Sequence, residues 1–205
     1  MTGTDDLDLV RRARDGDEAA FAELLERHQS RIYNHALRMM GNAQDAEEVL
    51  QDTFVQVFRN LDRFEERSRF STWIYRIATN ESLMRLRKAH RKREVFFEDH
   101  LGQDTEWYGA EIQAFTRSVV DEVQDRQFIE RLGTLLEELP EEYRVVFTMR
   151  DIDGLTNAEV AEVLDLSIPA VKSRLHRSRL YLRDRLSIMF GEAKPAPGAG
   201  AGGSR

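Results

Sequence analysis

The 205-residue chain contains no cysteine, only four prolines and no long apolar run. Each absence excludes something. Without cysteine there is no disulfide framework, zinc–thiolate site or thiol nucleophile, which fits a reducing cytoplasm. No run approaches the roughly 20 apolar residues that span a bilayer, so no membrane insertion is expected. The opening MTGTDDLDLVRRARDGDEAAF lacks the apolar core of a secretory signal. The five histidines, at 28, 35, 90, 100 and 176, show no HExxH-type ligand spacing, and no glycine-rich phosphate loop is present. His28 and His35 lie seven residues apart on one helical stretch, a spacing commoner in core or surface than in a metal pair. No metal, cofactor or enzymatic activity is therefore expected. Proline scarcity leaves long stretches uninterrupted, and two of the four prolines fall in the Gly/Ala/Pro-rich end GEAKPAPGAGAGGSR.

What is present is charge, at 33 % of residues, distributed unevenly. Residues 1–66 carry −7, 67–93 carry +8, 94–142 carry −11, 143–169 carry −3, 170–185 carry +5 and 186–205 carry +1. Two basic islands thus interrupt a chain whose net charge is −7. An acidic protein is repelled by a polyanion at long range, so the islands suggest local, oriented contacts with nucleic acid.

Apolar residues recur at spacings of three and four almost throughout, which predicts an all-α protein. Phe21, Leu24, Leu25, Ile32, Ala36, Leu37 and Met40 mark a helix over 17–40, ended by Gly41-Asn42. A second helix is expected over 43–61, then a polar loop at 65–69 and a basic helix from Phe70. The pattern divides the chain into a helical domain at 1–93, an acidic linker at 94–127 containing Trp107 and Tyr108, a second helical domain at 128–190, and a disordered tail at 191–205.

The second domain carries a helix-turn-helix signature. Thr156-x-x-Glu159 is a capping box, and Val160, Ala161, Val163 and Leu164 give the helix after it an apolar side. Asp165-Leu166-Ser167 forms a short turn, with Ser167 as cap and Pro169 tolerated in the next first turn. At 100° per residue, Val171, Leu175, Ser178 and Leu182 face inward. Lys172, Ser173, His176 and Arg177 face out, with Ala170 and Arg174 at the edge, as a major-groove recognition helix requires.

In the first domain, the expected 43–61 helix has a core side of Ala46, Leu50, Thr53, Phe54 and Val57. Its other side presents Asp45, Glu48, Gln51, Asp52, Val55 and Arg59, an acidic face that would repel DNA and suits a protein partner. The following helix gathers Trp73, Arg76, Asn80, Met84, Arg87 and Arg91 within about a third of the wheel. Cations to follow a backbone, an aromatic to stack and an amide to read an edge suit unpaired bases, although Trp73 alone also fits a core position.

Together, DAEEVLQDTFVQVFRNLDRF, FSTWIYRIATNESLMRLRK and LPEEYRVVFTMRDIDGLTNAEVAEVLDLSIPAVKSRLHRSRLYLRDRL resemble the extracytoplasmic-function (ECF) group of bacterial sigma factors. The resemblance implies a non-enzymatic, cytoplasmic factor that binds core RNA polymerase and directs it to promoters under control of an anti-sigma factor. It places Asp45, Glu48, Gln51, Asp52, Val55 and Arg59 against the β′ clamp helices, and the second domain near the β flap. It assigns melted −10 DNA to the loop with Arg67, to Phe70 and Ser71, and to Trp73, Arg76, Asn80, Arg87 and Arg91. Duplex −35 DNA falls to Ala170, Lys172, Ser173, Arg174, His176 and Arg177. Ala170 stands where relatives often carry Thr, and Ser178 where Ala is common. A stand-alone helix-turn-helix regulator is the competing expectation, and it leaves the basic helix from Phe70 without a task.

Overall fold

Asp17 starts the longest helix of the N-terminal half because its carboxylate accepts a hydrogen bond from the Ala20 amide at 3.0 Å. That helix, α2 (Glu18–Met40), ends where Gly41 adopts φ 77°, and Asn42 at once caps α3 (Ala43–Asn60) through the Asp45 amide. The computed structural model describes residues 5–89 and 126–190, and its ordered elements are helical, as expected. A short α1 (Asp6–Arg14) precedes α2, a 3₁₀ turn (Leu61–Arg63) follows α3, and α4 (Phe70–Ala89) completes the first half. The second half holds α5 (Arg126–Glu138), α6 (Glu141–Phe147), a π-turn (Thr148–Ile152), α7 (Asn157–Leu164) and α8 (Ile168–Phe190). Among the described residues, no helix is long and apolar enough to cross a membrane. The expected linker lies almost wholly outside the described residues, as does the expected disordered tail.

The first half packs α2 against α1, α3 and α4 around Leu24, Ile32, Met39, Val57 and Ile74, all fully buried. On α3 the inward residues are Ala46, Val49, Thr53 and Val57, whereas Leu50 and Phe54 are only half-buried. Slippage of this kind is expected where a helix touches neighbours on two sides.

In the second half, the inward set Val171, Leu175, Ser178 and Leu182 is buried as the wheel requires. The Ser178 hydroxyl, buried on this side, donates towards the Arg174 carbonyl at 2.8 Å and the Tyr143 carbonyl at 3.1 Å, tying α8 to α6. The capping box forms in both directions, with Thr156 Oγ1 accepting from the Glu159 amide and Glu159 accepting from the Thr156 amide at 2.8 Å. That backbone donor, then the Thr156 hydroxyl and Arg69, hold the Glu159 carboxyl below its usual range. A lowered carboxylate stabilises the fold above its unfolded value and loses that contribution as pH falls through the folded one. Thr156→Ala should cost about 1 kcal/mol by thermal unfolding at neutral pH. The wild-type margin over Glu159→Gln should shrink below about pH 4.5. A margin flat across that range would show that the box does not form in solution.

The two halves do not stand apart. One continuous apolar core joins them, containing Leu24 and Ile74 from the first and Leu139, Val146 and Val160 from the second. Helix α7 lies against α4, and the π-turn lies against α2. The sequence divides the chain into two domains, and the structure folds them onto one another.

Candidate nucleic-acid interface

The loop before α4 is held from behind. Arg14 of α1 donates to the Leu61 carbonyl at 3.1 Å and to the Phe64 carbonyl, and it reaches Glu66 at 3.2 Å. Arg11 joins Glu66 at 2.7 Å, and these guanidinium groups hold the Glu66 carboxyl below its usual range. Glu66 sits at φ 58°, a left-handed conformation rare for a residue with a Cβ, and two arginines fix it there. The loop therefore delivers α4 at a set angle.

Phe70, expected on the −10 surface, is turned inward and only 1 % exposed. Its ring sits 5.2 Å from His28 and 5.7 Å from Phe64, so it is a core residue that seats the start of α4 and cannot stack on a base here. Trp73 takes a middle position. Its indole packs on Phe64 at 5.2 Å and Phe70 at 5.7 Å, yet it remains half-buried and lines an open cavity. The core and base-contact readings of Trp73 are thus compatible.

That cavity, about 430 Å³, is walled by Gln56, Asn60, Arg63, Trp73, Ile77, Asn80 and Glu81. Three amides, a guanidinium, a carboxylate and an indole converge on a space large enough for a nucleobase. Asn80 is exposed at its rim, as the wheel indicates. Gln56, Asn60 and Arg63 are not on the expected list. Gln56 and Asn60 are one turn apart on α3, with the Asn60 amide donating to the Gln56 side-chain oxygen at 3.0 Å, so their common face was readable, but not which helix it faces. Arg76 and Arg87 are exposed, Ser71 is half-buried, and Arg67 is exposed beside Glu65 at 3.0 Å. Arg91 lies outside the described residues.

The acidic face of α3 is present but partly engaged. Arg85 of α4 bridges Glu48 at 2.6 Å and Asp52, and the Asp52 contact above all raises its own ionisation range. Gln51, Val55 and Arg59 are exposed, Asp45 is half-buried as part of the Asn42 cap, and Phe58 beside them is 70 % exposed. Phe58 leans on Phe21 at 5.4 Å, so an apolar patch adjoins the carboxylates.

On α8, Lys172 and Ser173 are exposed and Ala170 is half-exposed beside the Ser167 cap. Arg174 is half-buried, 4.0 Å from Glu142. His176 and Arg177 are turned further in than the wheel implies. Arg177 donates to the Tyr143 hydroxyl at 3.2 Å, and burial, then Arg179, Arg183 and Arg177, lower the His176 imidazole below its ordinary range. The His176 imidazole thus favours its neutral form, and its Nε2 is buried rather than turned outward. The fully outward groups are Lys172 and Ser173, one cation and one hydroxyl on adjacent positions.

Comparison with known proteins places both halves of the chain in one family. Residues 24–92 match the model for sigma-70 region 2, and residues 129–182 match that for sigma-70 region 4. The ECF RNA polymerase sigma factor SigW of Bacillus subtilis is 33 % identical over 179 residues, covering 86 % of this chain and 94 % of that protein. The solved structure of CnrH in complex with the cytosolic domain of CnrY superposes with a TM-score of 0.65 at 26 % identity, over 89 % of this chain and 97 % of that one. The sigma factor RpoE, solved with the anti-sigma factor NepR from Bartonella quintana, shares the fold at a TM-score of 0.59 and 21 % identity.

Proposed function

The chain belongs to the ECF RNA polymerase sigma factors, and on that premise we propose how its surfaces divide the work of promoter recognition. It binds core polymerase and directs transcription initiation, contributing recognition and no catalytic step of its own, in the cytoplasm. The region up to residue 93 acts as the polymerase-binding and −10 domain, and residues 128–190 act as the −35 domain. The acidic face of α3, with Asp45, Glu48, Gln51, Asp52, Val55 and Arg59, docks on the β′ clamp helices, extended by exposed Phe58. The second domain meets the β flap. The cavity beside Trp73 and Asn80 receives a base of the opened −10 strand, while Arg67, Ser71, Arg76, Arg87 and Arg91 follow its backbone. Base flipping costs a few kcal/mol of stacking, which stacking on an indole and hydrogen bonds to the rim offset.

Helix α8 reads the −35 duplex, with Lys172 and Ser173 nearest the bases, Ala170 permitting close approach, and Arg174, His176 and Arg177 flanking them. An anti-sigma factor restrains the chain; CnrH, solved in complex with the cytosolic domain of CnrY, supports a protein partner of this kind. The observation that carries the reading is the coexistence of the two surfaces. A stand-alone helix-turn-helix regulator needs α8 and has no use for a base-sized cavity between α3 and α4.

Run-off transcription tests it. Purified chain added to core polymerase should yield promoter-dependent transcripts from templates carrying −10 and −35 elements, and none should form without it. Tight operator binding by the chain alone, with no transcript on any template, would favour the regulator instead.

A further inference from the structure

Helix α1 belongs to neither proposed DNA surface, yet its last turn is tied to the wall of the base-sized cavity. Arg11 and Arg14 lie three residues apart and so share one face of α1. Arg14, 23 % exposed at its side chain, grips the backbone on both sides of Arg63. Its Nε donates to the Leu61 carbonyl at 3.1 Å and its Nη2 to the Phe64 carbonyl, while Nη1 reaches Glu66 at 3.2 Å. Its Cζ also lies 6.0 Å from the centroid of the Phe64 ring, which packs on the Trp73 indole at 5.2 Å. One side chain thus supports two walls of the cavity, Arg63 through the backbone and Trp73 through Phe64. Arg63 is exposed and forms no ion pair among the described residues, so the backbone that carries it sets its aim.

The rest of α1 is anchored without these contacts. Leu9 and Val10 are fully buried, Asp6 meets His28 at 2.7 Å, and Arg12 pairs with Asp17, the cap of α2, at 2.6 Å. The loop is different. Between the buried rings of Phe64 and Phe70 no side chain is buried, and Glu66 holds φ 58°, a conformation disfavoured for a residue with a Cβ. What fixes Glu66 there is Arg11 at 2.7 Å and Arg14 on its other oxygen.

We propose that α1 is a brace for base capture: Arg14, assisted by Arg11 through Glu66, is a positioning residue that fixes Arg63 and Trp73 around one base of the opened −10 strand. Base choice at that position then depends on a helix outside the DNA surface. The proposal rests on the reading of the cavity as part of the −10 site. Its chemistry requires arginine. A planar guanidinium donates in three directions at once, whereas lysine keeps the charge but loses the fork.

Holoenzyme assembled from core polymerase and the full chain tests this on promoter templates randomised across the −10 element, with the opened fraction sequenced. Wild type should enrich particular bases, and Arg63→Ala should relax that selection at a single position by about 10-fold, the scale of one lost base-edge contact. Arg14→Lys should relax selection at the same position by about 3–10-fold and preserve it elsewhere, with affinity for core polymerase unchanged. If Arg14→Lys selects as wild type does, or loses selection at every position alike, the brace is overturned and the sigma reading stands. Wild type that opens templates without selecting any −10 base overturns the role given to the cavity, and the brace with it. A measurement on the free chain is independent of DNA. Trp107→Phe leaves Trp73 as the one tryptophan, and acrylamide should quench it more strongly once Arg14→Lys is added, at unchanged helicity by circular dichroism. Equal quenching with and without Arg14→Lys overturns the brace.

Discussion

Asn80→Ala combined with Trp73→Ala should slow promoter opening on the order of 100-fold while leaving affinity for core polymerase within about twofold. The magnitude comes from two lost contacts: a stacked base is worth about 1–3 kcal/mol, and a hydrogen bond to a base edge about 1 kcal/mol. Together they amount to roughly 3 kcal/mol, and each 1.4 kcal/mol is a factor of ten. The acidic face of α3, proposed to meet polymerase, is untouched by either change, which is why the two readouts should separate. Because Trp73 also packs on Phe64 and Phe70, its truncation removes core contact as well. Asn80→Ala alone controls for this: Asn80 is exposed at the cavity rim, and by itself it should still slow opening about 5–10-fold with no change in melting temperature. Permanganate footprinting of the opened strand reads the first effect, and fluorescence anisotropy with labelled protein reads the second. Parallel loss of opening and polymerase binding would mean that the cavity is a structural feature of the fold and has no base to hold.

Local chemistry was legible in the sequence wherever a residue's partner lay within one or two turns. The Thr156–Glu159 box, the Gly41-Asn42 break and the buried set Val171, Leu175, Ser178 and Leu182 depend on spacings of three and four, which a helix converts directly into contact. Phe70 shows where that logic stops. As the first residue of α4 it has no preceding turn to fix its face, and its inward orientation is decided by His28 and Phe64 on other elements. The cavity is similar, since Gln56 and Asn60 acquire meaning only once α3 lies beside α4.

The histidines make the point most sharply. Seven residues apart, they face one side of α2 and read as core or surface, which is how they fold. What could not be read is that each meets an aspartate from a distant element, Asp6 for His28 at 2.7 Å and Asp153 for His35 at 2.6 Å. The second pair spans 118 positions and carries no periodic signature. The association of the two halves rests in part on that pair.

The recognition helix depends on one of them within its own half, and Asp151→Ala should be among the most destabilising single changes in the chain. Asp151, in the π-turn, accepts two hydrogen bonds from Arg179 of α8, Nε at 2.8 Å and Nη2 at 2.6 Å, in a fork-to-fork pair. The side chains are 6 % and 10 % exposed, so neither charge can turn to water when its partner is lost. Removing one member of a buried pair costs about 3–5 kcal/mol, a large part of the stability of a small domain. The helical signal of the second half should melt well below wild type, and −35 duplex binding should fall with it, because Arg179 sets the rotation of α8 two positions beyond Arg177. Replacing both partners should behave differently. Asp151→Ala with Arg179→Met leaves no unpaired charge, and a buried pair exchanged for apolar side chains is often near neutral. The double variant should therefore recover most of the lost stability, without recovering all of the −35 affinity, since a methionine at 179 no longer fixes α8 against the turn. If the double variant melts as low as Asp151→Ala alone, the cost lies in the π-turn backbone and the ion pair is not what orients the helix.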